Sequence, residues 1–166
     1  MKKDGWKAVL LIAFGLLTAG LIYPFFHETG HTIIALSFGA SVTEFVLFPL
    51  PSVLCNMVSV GNAGRIAVGF GGMVFPLLTA LLIPRRKFLL WYLRFLLMSI
   101  SLLAIGISII SVAFAVNPQD DMVQVLKFRG CDKTVLLAVL GIGYTALFAF
   151  IVRDRPLDRI LKYFNV

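Results

Sequence analysis

Four apolar runs, 8–22, 62–83, 88–116 and 134–152, decide what this chain can fold into. Backbone N–H and C=O groups in hydrocarbon must be satisfied within the segment, so runs of this kind resolve as membrane helices. The rest of the composition agrees. Of 166 residues, 60% are hydrophobic and only 14% are charged, and mean hydropathy is +0.97. A soluble domain has about 25% charged residues. The expectation is an all-α polytopic membrane protein with about four to five membrane helices, residues 1–166 forming a single integral-membrane domain.

The net charge of +7 does not point to nucleic acid, because the cations sit in short clusters that flank the apolar runs. Lys2, Lys3 and Lys7, then 85–87, then Arg153 to Lys162 place ten basic residues on one side of the membrane, against three between Lys127 and Lys133. The positive-inside rule puts the ten, and the N-terminus, in the cytoplasm of a prokaryotic cell. A cleavable signal peptide is the competing reading of the first run. Its one small-residue site, Thr18-Ala19-Gly20, lies inside the apolar stretch, so the run reads as a first membrane helix. Cys55 and Cys131 have no metal-type spacing.

A helix running unbroken from Trp6 to Gly39 would be about 50 Å long, so a break is expected near Tyr23-Pro24, with a second helix ending at Gly39. Between Ser41 and Val60, Pro49 and Pro51 argue against helix. Two extended pieces, 42–48 and 53–60, would form a re-entrant β-hairpin-like segment. Gly61, Gly64, Gly69, Gly71 and Gly72 suit close helix packing. Arg65 would sit at the interface or counter a carboxylate, and Trp91, Tyr92 and Arg94 would anchor their helix. Residues 157–164 read as an amphipathic tail on the bilayer surface.

Within the second helix stands His27-Glu28-Thr29-Gly30-His31, which uses both histidines and one of the two glutamates of the chain. Helical positions i and i+4 lie about 40° apart, so both imidazoles can reach one metal ion. Glu28 points beside that ion and can poise a water for attack. A two-histidine zinc site needs a third ligand. Asp120 and Asp121, directly after a long membrane helix, are the paired carboxylates that could supply it while one of them caps the next turn. The expectation leans to Asp120, because Asp121 already falls inside that turn, with Glu44 next in line. The hairpin would dip beside the metal and offer an edge to an extended substrate strand, making Phe45, Val46, Leu47 and Asn117 candidate substrate-binding residues.

With these motifs the chain resembles peptidase family M50, the site-2 protease type of intramembrane zinc metalloprotease. The resemblance rests on His27-Glu28-Thr29-Gly30-His31 with Ala35, Phe38, Gly39 and Ala40, on the Gly-rich stretch from Gly61 to Pro76, and on Asn117-Pro118 with Asp120-Asp121. It implies that His27 and His31 bind zinc, that Glu28 is the catalytic base, and that Asp120 or Asp121 is the third ligand. The family's usual Leu-Asp-Gly is absent, since Met122 follows Asp121, and no PDZ or CBS segment is present. The function expected is hydrolysis of a peptide bond in a membrane-spanning protein substrate. The rivals are a non-catalytic metal-binding scaffold or chaperone of the same fold and, with less support from these spans, a metal transporter.

Overall fold

The computed structural model describes residues 2–46, 49 and 51–164. Helix α1 (Lys2–Leu17) runs into a π-helical stretch, Thr18–Ile22, and on into α2 (Tyr23–Ser37). The expected break at Tyr23-Pro24 is therefore absent. Pro24 has no N–H to donate, and its ring crowds the carbonyl one turn back. The turn before it widens to i→i+5 bonding, with the Tyr23 N–H on the Thr18 carbonyl, which makes room for the ring without ending the helix. Gly39, at φ 82°, does end α2. Its N–H bonds the Leu36 carbonyl, and the Ala40 N–H bonds that of Ala35, in a Schellman arrangement.

Strands β1 (Ser41–Val46) and β2 (Ser52–Asn56) pair antiparallel, Ser41 opposite Asn56 and Val46 opposite Ser52. A bulge falls between Val42 and Glu44, where the Thr43 hydroxyl donates to the Leu54 carbonyl at 2.9 Å. The second strand is shorter than expected because Asn56 turns the chain, its side-chain oxygen accepting the Val58 N–H.

Three long helices follow: α3 (Asn62–Leu82), α4 (Phe88–Phe114) and, after the short α5 (Asp121–Val125), α6 (Lys133–Arg153). Helix α7 (Pro156–Phe164) closes the chain. Among the described residues, Gly5–Ser37, Asn62–Leu82, Phe88–Phe114 and Lys133–Phe164 are helical, long and apolar enough to cross a membrane. The molecule is a helical polytopic membrane protein with a small antiparallel hairpin. Leu16, Ile107, Ile110, Val135 and Ile142 are exposed along its flanks, an apolar surface that a bilayer covers.

Backbone contact between α2 and α3 sets the position of everything else. A Cβ on Gly30 would strike the Gly71 carbonyl oxygen, and one on Gly71 would meet the Gly30 oxygen at 2.7 Å. The same glycine crossing continues at Gly64, where an added Cβ would run into Val60 and Phe38. On the other side of α3, Met73 packs with Ile105 and Val112 of α4, Met122 and Val125 of α5, and Leu136 and Leu140 of α6. Trp91 and Arg94 are buried within the protein. The Trp91 indole N–H donates to Asp154 at 2.7 Å. Arg94 donates to the Leu81 and Ile83 carbonyls, which the end of α3 leaves without helical partners.

Candidate metal centre

Helix α2 turns His27 and His31 to the same face, and their Nε2 atoms lie 3.1 Å apart. Asp121, the first residue of α5, brings its Oδ2 to 3.1 Å from His27 Nε2 and 3.2 Å from His31 Nε2. The three donors make a nearly equilateral triangle walled by α3. A Cβ on Gly72 would sit 2.6 Å from His27 Cε1 and collide with His31 Nε2, so the imidazoles occupy the space that a side chain would fill.

Hydrogen bonding fixes how one ring faces the triangle. His31 Nδ1 lies 2.7 Å from the Val68 carbonyl oxygen, which can only accept, so Nδ1 carries the proton. In the neutral ring Nε2 then turns a lone pair toward His27 and Asp121, an arrangement that calls for a cation. A regular tetrahedron with edges of 3.1 to 3.2 Å has its centre about 1.9 Å from each corner, close to the roughly 2.0 to 2.2 Å of metal–nitrogen and metal–oxygen bonds at tetrahedral sites. His27, His31 and Asp121 could thus hold one metal ion, with a fourth position open. Among the described residues, the buried Nδ1 of His27 has no hydrogen-bond partner.

The expectation leans to Asp120, but Asp121 is the carboxylate that faces the histidines. Asp120 is the N-cap of α5, in extended backbone, and its Oδ1 accepts the Met122 N–H at 2.9 Å. Its Oδ2 accepts the Ser108 hydroxyl of α4, also at 2.9 Å. A capping carboxylate must fold back over its own first turn, whereas the next residue projects sideways. Asp121 therefore reaches the histidines because it lies inside the turn, the feature that had counted against it.

Glu28 is outside the triangle but within electrostatic reach of His31, His27 and Asp121, and Val53 of β2 lies beside its carboxylate. The hairpin thus lies against the helix that carries the motif. Phe45 is exposed on β1 and meets the Phe25 ring edge-on, with centroids 6.5 Å apart. Val46 is half-buried at the end of that strand, and Leu47 lies outside the described residues. Asn117 is exposed and serves the turn before α5, its side-chain oxygen accepting the Gln119 N–H. Glu44 is an exposed β1 residue opposite Leu54. Among the described residues Arg65 counters no carboxylate: it donates to the Val60 and Met57 carbonyls and so ties the hairpin to the start of α3. A cavity of ≈ 210 Å³ adjoins the triangle, between His31, Asp121, Arg65 and Phe128.

Sequence reasoning missed the Val68 carbonyl, Ser108 and the space at Gly72. The glycine pair 71–72 was a usable signal for close approach, although only as packing. A backbone carbonyl and a serine in an apolar helix have no sequence signature. Scans against protein-family models and searches of curated proteins and of solved structures return no match to this chain.

Proposed function

We propose that the chain is an intramembrane zinc metalloprotease of the site-2 protease type, acting on a peptide bond of a membrane-spanning protein. The observation that carries this reading is the His27–His31–Asp121 triangle with Glu28 beside it and outside it. A site that only stores or senses metal has no need of a fourth ionisable group at that position; hydrolysis does. Zinc held there would polarise the scissile carbonyl and make water more acidic. Glu28 accepts the proton of the attacking water and delivers it to the leaving amine, a general acid–base role. Val68 locks the His31 tautomer, and Asp120 with Ser108 closes the start of α5.

A helical substrate hides its carbonyls in hydrogen bonds and must unwind locally. The β-hairpin beside Glu28 supplies edge backbone for the extended strand, and the cavity at Arg65 and Phe128 takes one of its side chains. The excess of basic residues at the N-terminal end supports a cytoplasmic N-terminus. The test is cleavage of single-span reporter proteins by the purified protein in detergent, with and without a zinc chelator. Cut products that vanish on chelation and return with zinc are expected. Intact reporters throughout, with zinc bound, would leave a metal-binding scaffold as the better account.

A further inference from the structure

A second cavity, ≈ 430 Å³ in volume, lies at the end of the bundle where α1 begins, α3 gives way to α4, and α6 gives way to α7. Lys7 reaches Tyr163 there, its ammonium 5.4 Å from the ring centroid. Arg85, Arg86, Arg159 and Lys162 line the cavity, with Trp91 and Tyr163 as aromatic walls. The charge is uneven. Asp154 meets Arg85 at 3.2 Å and Arg159 at 3.5 Å while accepting the Trp91 indole N–H, so one carboxylate serves two guanidinium groups. Arg86 and Lys162 have no ion-pair partner among the described residues, and both are exposed. The walls are firm: Tyr163 stacks on Phe88 at 3.9 Å, and Arg159 lies over the Trp91 ring.

We infer that this cavity binds the phosphodiester headgroup of an anionic phospholipid. Forked guanidinium groups suit phosphate oxygens, and a surplus of cations needs an anion. The place in the fold selects a lipid over a dissolved anion. The cavity opens at the ends of membrane-crossing helices, at the level where headgroups lie. Its α7 wall carries Arg159 and Lys162 toward the cavity and also exposes Leu157 and Leu161, so the helix suits the boundary between headgroups and acyl chains. A bound lipid would clasp α7 to the start of α4.

The experiment uses the full chain in nanodiscs of phosphatidylcholine, alone or mixed with phosphatidylglycerol, and reads thermal unfolding and lipid retention by native mass spectrometry. Wild type should unfold at higher temperature with phosphatidylglycerol and retain that lipid. Each basic residue near a membrane surface is worth about fivefold in affinity, so Arg86→Gln should weaken retention about fivefold and the Arg86→Gln, Lys162→Gln pair roughly twenty-five-fold. Both side chains are exposed, so unfolding in phosphatidylcholine alone should match wild type. A Lys127→Gln, Arg129→Gln pair, with the same charge change at the opposite end, should behave as wild type. Equal losses in the two pairs would overturn the site in favour of diffuse attraction. A thermal shift produced by inorganic phosphate in phosphatidylcholine nanodiscs would overturn the lipid assignment. No response to phosphatidylglycerol would overturn both.

Discussion

Asp120 and Asp121 share a side chain and a neighbourhood, yet the backbone gives them different work. One closes a helix end and a serine hydroxyl; the other faces two imidazoles. Substitution should separate these roles. Asp121→Asn removes the charge that the two histidines converge on, and purified protein should lose its zinc. Asp120→Ala should retain zinc while losing about 1 kcal/mol of stability, the usual cost of an N-cap. Metal analysis and thermal unfolding of the two variants check both statements. Zinc lost equally from both would return the third ligand to the open choice that the sequence leaves. The motif 27–31 was legible because i, i+4 spacing on a helix is a local rule. The third donor was not, because a one-residue choice depends on where a cap ends.

At the level of elements, the α2–α3 crossing holds the site together. Gly30→Ala places a methyl group against the Gly71 backbone, which cannot move like a side chain. Overpacking of this sort costs about 1–3 kcal/mol, so unfolding temperature and zinc content should both fall. Gly141→Ala, where an added Cβ meets nothing within 4 Å, should leave both unchanged. The spans, the hairpin and the glycine-rich helix could be read from hydropathy, proline and glycine placement. The join at Pro24 could not. Proline in a helix either breaks it or is absorbed by a wider turn, and the bonding of Thr18 to Tyr23 decides which. The partner of Trp91 escaped as well, because nothing local in the sequence says that Asp154, from the end of α6, arrives beside its indole N–H.

For the whole molecule, the basic end and the metal-facing end should lie on opposite sides of the membrane. In a Cys55→Ser, Cys131→Ser background, Arg129→Cys should react with a membrane-impermeant maleimide added to intact cells, and Arg86→Cys should react only after lysis. The reverse pattern would invert the proposed orientation. The central claim is catalysis at the triangle, and Glu28 tests it most directly. Glutamine keeps the shape but cannot take a proton from water. Loss of general-base help costs on the order of a hundredfold to ten-thousandfold in rate. The decisive measurement is the cleavage rate of a single-span substrate by wild type and Glu28→Gln, with zinc content measured on the same samples. The account predicts equal zinc and a rate lowered by at least about a hundredfold; equal zinc with an undiminished rate would contradict it.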